Sequence, residues 1–154
     1  MSEPNITQKL GLFSLSCRAV VNIQARPDSI WRLLTDAKNF SRWNSTVTSV
    51  EGEIRGGEKL RLRVPGTERV FTPTVSGFVP NQRMIWADGF APIFRGVRRF
   101  ELTPRGDGST DFAMEEEFSG LMLPLVKGSL PDFGPIFARY AADLKAEAER
   151  RRPT

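Results

Sequence analysis

From Thr46 to Gly120 the chain repeats one pattern: runs in which apolar and polar residues alternate, each closed by a turn rich in glycine or proline. Leu60, Leu62 and Val64, for example, alternate with Lys59, Arg61 and Arg63. A period of two sends successive side chains to opposite faces of an extended strand, so each run can bury one face and wet the other. The runs are Thr46–Glu53, Lys59–Val64, Arg69–Val79, Arg83–Phe90, Arg95–Thr103 and Thr110–Ser119. The turns between them include Arg55-Gly56-Gly57, Pro65-Gly66, Pro80-Asn81 and Pro104–Gly108. Such spacing predicts an antiparallel meander. A sheet of this length has an apolar face that some other element must cover.

The flanking segments supply the cover. Residues 13–25 alternate in the same way, with Phe13, Leu15, Cys17, Ala19, Val21 and Ile23 on one side, and predict a first half-buried strand. Arg26-Pro27-Asp28-Ser29 then opens a helix, since proline suits the first helical turn and acids suit its positive end. Ile30, Leu33 and Leu34 form its apolar stripe, and a second short helix is expected from Ala37 to Trp43. Near the C-terminus Ile136, Phe137, Tyr140, Ala141 and Leu144 recur at helical spacing. Pro131, Gly134 and Pro135 interrupt the approach, which sets the start of this helix near Pro135 and its end near Arg151. The plan is α+β, and residues 1–154 read as a single domain, with the terminal helix the one element long enough to cover the sheet.

Little catalytic chemistry is available to such a chain. With 0 His and one Cys, imidazole bases, thiolate–imidazole pairs and zinc sites are excluded. No phosphate-cradling glycine motif and no aspartate-rich cation loop is present, so no cofactor and no metal is expected. Cys17 has no disulfide partner in the chain and reads as a small buried thiol; the cytoplasm is the expected compartment. The N-terminus lacks a basic stretch followed by an apolar one, as a secretory signal requires. The longest apolar run, Leu121–Val126, is broken by Pro124 and falls far short of the roughly 20 residues of a membrane span, so no stable membrane insertion is expected. The net charge of +4 owes much to the tail Lys145–Arg152, which reads as the solvated end of a helix rather than a nucleic-acid surface.

One stretch breaks the pattern. Phe112-Ala113-Met114-Glu115-Glu116-Glu117-Phe118 places three acids in a row within an otherwise apolar run. On a strand Phe112, Met114, Glu116 and Phe118 share a face, while Asp111, Ala113, Glu115 and Glu117 share the other. Glu116 therefore lies on the apolar side. A hairpin closing around Pro104–Ser109 with Phe100 opposite Met114 sets Arg98 opposite Glu116, within ion-pair reach. A charged carboxylate on a buried face requires such a partner. Trp86 and Asp88 share a strand face and are expected to line the same space. Tyr140, the one phenol in the chain, lies on the terminal helix's apolar stripe, where a buried hydroxyl makes a second polar anchor.

Several segments together carry a family resemblance. Ile23–Pro27 leading into Ile30–Asp36, Phe40-Ser41-Arg42-Trp43-Asn44, Val50-Glu51-Gly52, Gly57–Leu60, Trp86, Phe100–Pro104 and Glu116–Gly120 occur in the order found in the START-like, helix-grip superfamily (SRPBCC). From about Ser14 to Lys145 the chain resembles its polyketide cyclase/dehydrase-like branch. The resemblance implies a seven-stranded curved antiparallel sheet wrapped around the C-terminal helix, with an apolar cavity between them. Relatives bind lipids, sterols, polyketides or other hydrophobic molecules, and a minority catalyse cyclisation or dehydration. Members often carry a histidine where this chain has Arg98, and a proline after the Trp-Asn pair, here Ser45. The first departure removes an acid/base partner.

Three functions follow as expectations. The first is binding of a small hydrophobic molecule, lipid or polyketide-like, in the cavity, oriented by Arg98, Glu116 and Tyr140 against a wall of Trp86, Asp88, Phe100, Met114, Phe118 and Phe137. The second is a cyclase or dehydratase in which Glu116 is the acid/base. The third is a module whose Leu121–Val126 loop docks a partner or membrane surface; a homodimer is also admitted.

Overall fold

The computed structural model describes residues 3–151. The main sheet has six strands, all neighbours antiparallel, in the order β1-β2-β8-β7-β6-β5. They are β1 (Asn5–Leu10), β2 (Ser14–Ile23), β5 (Thr74–Val79), β6 (Arg83–Phe90), β7 (Phe94–Pro104) and β8 (Thr110–Ser119). A separate ladder pairs β3 (Ser49–Glu51) with β4 (Arg61–Arg63). Single bridges from Lys59 to Thr74 and from Leu62 to Phe71 tie that ladder towards β5. The expected single sheet of seven strands is thus a sheet of six with a two-stranded annex.

The shortfall has local causes. The expected strand Thr46–Glu53 shrinks to Ser49–Glu51 because Asn44 turns the chain: its Oδ1 accepts from the Thr46 amide (2.9 Å) and the Thr46 hydroxyl (2.7 Å). Side chains that bond nearby backbone compete with sheet ladders in this way. Strand β1 was not anticipated, because Asn5–Leu10 is an almost wholly exposed edge strand without apolar alternation.

The covering elements are α1 (Pro27–Thr35), a 3₁₀ turn at Ala37–Asn39, α2 (Phe40–Trp43), α3 (Leu123–Val126) and α4 (Phe133–Arg150). Helix α4 begins two residues before Pro135. Asp132 caps it, accepting from the Gly134 amide at 3.1 Å, and the proline falls in the first turn, where its missing N–H has no helical partner. Phe137, Tyr140, Ala141, Leu144 and Ala148 form the buried stripe of α4, which packs on β1, β2 and β8. Ser45 anchors the loop after α2 to this helix, its amide and hydroxyl both donating to Asp143 Oδ2. Among the described residues no helix is long and apolar enough to cross a membrane.

Candidate functional site

The register of the sheet assembles the site. Gln8, Cys17, Glu116, Arg98, Trp86 and Val75 stand opposite one another in turn across all six strands. One row away lie Ile6, Ala19, Met114, Phe100 and Met84. Two charged residues thus sit in the middle of an otherwise largely apolar inner face. Arg98 Nε donates to Glu116 Oε1 at 2.5 Å, and the two side chains keep only 16% and 14% of their exposure. The neighbouring acids point the other way: Glu117 is exposed, and Glu115 faces Arg18 and Arg99 on the outer surface, 3.9 Å from the Arg99 guanidinium. The alternation of one strand separates a buried carboxylate from two wet ones.

Arg98 also bridges the two layers. Its guanidinium carbon lies 5.2 Å from the Phe137 ring centre and 5.8 Å from that of Tyr140, both on α4. A cation over aromatic faces is stabilised by the ring quadrupoles, most of all when water is excluded. On the other side of the pair, residue 96 is glycine. A Cβ there would approach Phe118 to 3.1 Å and Glu116 Oε2 to 3.6 Å, so the glycine leaves the carboxylate and the Phe118 ring their room.

Behind the pair the interior is filled. Trp86 packs on Phe100 (5.0 Å between ring centres), Phe100 on Tyr140 (6.4 Å), and Tyr140 stacks on Phe112 (6.4 Å). Phe40 from α2 closes the group, 6.1 Å from Trp86 and 6.2 Å from Tyr140. The expected hollow between sheet and helix is therefore displaced. Aromatic side chains from both layers are long enough to meet, and a pocket of about 120 Å³ opens at the N-terminal end of α4. Gln8, Cys17, Glu116 and Phe118 line it from the sheet, Asp132 and Phe133 from the helix. Sites for drug-sized ligands run to about 300–1,000 Å³. A larger surface hollow of about 580 Å³, between the start of α1 and the β7–β8 turn, contains none of the expected site residues.

The filled interior holds an anomaly. The Tyr140 hydroxyl, Trp86 Nε1, Trp43 Nε1 and Asn44 Nδ2 are buried without a protein hydrogen-bond partner. Three of the four belong to rings packed around Phe40, and the fourth follows Trp43 in the chain. Elsewhere buried polar groups are paired, as where the Thr110 hydroxyl donates to Ala25 O at 2.7 Å. An unsatisfied buried polar group costs about 1–3 kcal/mol, so a cluster of them is an exception that calls for a reason. Burial pushes the Tyr140 phenol well above its ordinary range, and the positive charge of Arg98 offsets only part of this.

Of the expected residues, Arg98, Glu116, Trp86, Phe100, Met114, Tyr140 and Phe137 converge on the interior, and Phe118 borders the pocket, stacked on Phe94 and Phe133. Asp88 does not join them. It shares the Trp86 face but lies near the open end of β6, is exposed, and accepts from the Thr72 and Gly89 amides at 3.2 and 2.8 Å. Cys17 is buried as expected, and burial raises its thiol pKa. Gln8, Phe40 and Phe133 were missed. Gln8 stands on the unanticipated edge strand, and the rings of Phe40 and Phe133 reach the site from short or interrupted segments without strong periodicity.

An antiparallel sheet closed by one long C-terminal helix, with a mostly apolar inner face, defines a START-like helix-grip protein. Within that class the chain belongs to the polyketide cyclase/dehydrase and lipid transport family, whose model matches residues 14–149. No curated protein matches it in sequence. Among solved structures it is similar to a START superfamily protein from Mycobacterium smegmatis, with TM-score 0.65, 19% identity, and coverage of 88% of this chain and 97% of that one. It is also similar to norcoclaurine synthase from Thalictrum flavum, with TM-score 0.69, 13% identity, and coverage of 92% and 98%. A Rhodobacter sphaeroides protein gives TM-score 0.68 at 20% identity, covering 93% and 97%. At these identities the likeness is one of fold.

Proposed function

We propose that the chain binds a small hydrophobic molecule, lipid or polyketide-like, between the inner face of the sheet and α4, and that the molecule carries hydrogen-bond acceptors such as carbonyl oxygens. The observation that carries this reading is the set of four buried polar groups around Phe40. All four can donate, and none has an acceptor in the protein. An occupant bringing oxygen atoms to Tyr140 and Trp86 removes that cost, while its hydrocarbon gains about 25 cal/mol for each Å² withdrawn from water. The pocket beside Glu116 is the starting volume, and the occupant reaches Tyr140 and Trp86 by displacing the aromatic rings packed around Phe40. The Arg98–Glu116 pair fixes the polar end of the site.

Native mass spectrometry of freshly purified protein tests the reading, followed by thermal unfolding with apolar carbonyl compounds. The expected result is a co-purified small molecule, or a compound that raises Tm by mass action. Failure of every apolar carbonyl compound to stabilise the protein contradicts the reading. A second use of the same site is proton transfer by Glu116 in a cyclisation or dehydration, favoured by a carboxylate that borders the pocket while one oxygen is held by Arg98. Loss of turnover in Glu116→Gln with binding retained supports that use; unchanged turnover rules it out.

A further inference from the structure

The polar groups of the interior are unequally matched. Arg98 can donate from every nitrogen of its guanidinium, and the one bonded within the chain is Nε, on Glu116 Oε1. Its two terminal nitrogens meet no acceptor among the described residues. The Tyr140 hydroxyl, Trp86 Nε1, Trp43 Nε1 and Asn44 Nδ2 are unpartnered donors as well. The surplus is therefore one of donors, and it includes a positive charge.

The register says how these donors lie around Arg98. Glu116 stands opposite it on β8 and Trp86 opposite it on β6. The guanidinium thus has its counter-charge on one flank and an unpartnered indole N–H on the other. Tyr140 covers it from α4, with the ring centre 5.8 Å from the guanidinium carbon. The two members of the ion pair also differ in their access to water. Glu116 borders the pocket at the start of α4, and Arg98 does not. Water in that pocket screens the carboxylate, whereas the guanidinium lies over the Phe137 and Tyr140 rings, a medium that screens it less. A group on the Trp86 side of Arg98 meets a cation and neutral donors, with the Glu116 charge on the far flank.

A neutral carbonyl oxygen accepts about two hydrogen bonds, and an ionised carboxyl group about four. The two coplanar oxygens of the latter also match the paired terminal nitrogens of a guanidinium. We propose that the occupant is an apolar carboxylic acid, bound as its carboxylate on the terminal nitrogens of Arg98, between Trp86 and Tyr140. The proposal rests on the reading of the interior as a site for a small hydrophobic molecule and supplies that molecule's head group. Arg98 is then shared: Nε stays on Glu116, which orients the guanidinium, and the open end of the fork takes the ligand. An amine is disfavoured by the same arrangement, because its N–H groups would face donors and a cation.

The test is equilibrium dialysis of the full chain at neutral pH against two isosteric sets. One is decanoate, methyl nonyl ketone and decylamine; the other is hydrocinnamate, benzylacetone and hydrocinnamylamine. Within each set the hydrocarbon is constant and the head group changes. The acid is expected to bind at least about tenfold more tightly than its ketone, and the amine most weakly. Arg98→Lys keeps the charge but not the fork, and is expected to lower acid affinity at least about tenfold while changing ketone affinity much less. A ketone that binds as tightly as its acid, or an amine that binds more tightly than either, overturns the proposal and leaves the hydrophobic-ligand reading standing. An Arg98→Lys protein that keeps the wild-type preference for the acid overturns it too. Binding by no member of either set contradicts both. The comparison within each set uses wild-type protein alone, so it decides the matter even if Arg98→Lys fails to fold.

Discussion

Strand β8 passes through two regions that break the usual inside–outside rule in opposite senses. Within it Glu116 is held against Arg98, whose guanidinium lies over the Phe137 and Tyr140 rings of α4. A few residues further on the chain emerges into Leu121, Met122 and Leu125, apolar side chains left in water beside those of two neighbouring turns. Buried charge and exposed hydrocarbon are the informative exceptions to burial by polarity. Neither is explained by folding alone, since a sequence selected only for stability would fill the first region with hydrocarbon and the second with charge. The interior is expected to be costly to disturb, the end cheap.

Substitutions distinguish the two regions by size of effect. The largest is expected for Arg98→Met, which strands Glu116 on a buried face and should cost about 3 kcal/mol or more in chemical denaturation. The double variant Arg98→Met/Glu116→Gln should recover most of that loss; if it does not, the cost lies in the stacking on Phe137 and Tyr140 rather than in the charge pair.

Next comes pH. Tyr140 is the single tyrosine, so the tyrosinate absorbance reports it alone. Burial raises its folded-state pKa above the ordinary value of 10.0. Stability is therefore fully present below that pH and falls above it, by about 1.4 kcal/mol per pH unit, as the unfolded chain ionises and the folded one does not. Tyrosinate absorbance should appear together with loss of far-ultraviolet ellipticity. Ionisation in a still-folded chain would show that water reaches the hydroxyl.

A smaller effect with an instructive sign is expected for Tyr140→Phe. Removing a hydroxyl that has no partner should leave stability unchanged or raise it by about 1 kcal/mol, while affinity for a carbonyl ligand falls about tenfold. The smallest effects belong to the other region. Leu12→Ser, Phe90→Ser and Leu125→Ser should each shift stability by no more than about 0.5 kcal/mol. A loss comparable to that of Arg98→Met would mean that the apolar end is part of the core.

How far these regions can be read from sequence differs for a physical reason. Strands Arg83–Phe90 and Thr110–Ser119 have the expected bounds, and Phe100 stands opposite Met114 with Arg98 opposite Glu116. Alternation assigns faces, and the Pro104–Ser109 turn sets the register between adjacent strands. Relations between layers are not carried by alternation. Whether Phe100, Phe112 and Tyr140 leave a hollow or meet depends on side-chain reach across the gap between sheet and helix, and here they meet. Asp88 shows the same limit, since sharing a strand face with Trp86 does not bring α4 over it. Of the apolar end, Leu121–Val126 and the apolar loop Phe90–Phe94 were legible as separate segments, the second as a cavity lid or a buried turn; their meeting was not, because the members lie about 30 and 110 residues apart and join through backbone contacts between turns.

The interior assignment is tested most directly by the indole N–H resonances of the three tryptophans during a titration with an apolar carbonyl ligand. Trp43 and Trp86 hold unpartnered donors in the cluster around Phe40, whereas Trp31 packs against Phe78 on another part of the core. The signals of Trp43 and Trp86 should move downfield as their N–H groups gain an acceptor, and that of Trp31 should stay in place. A ligand that binds while the Trp43 and Trp86 signals remain unmoved would contradict the account.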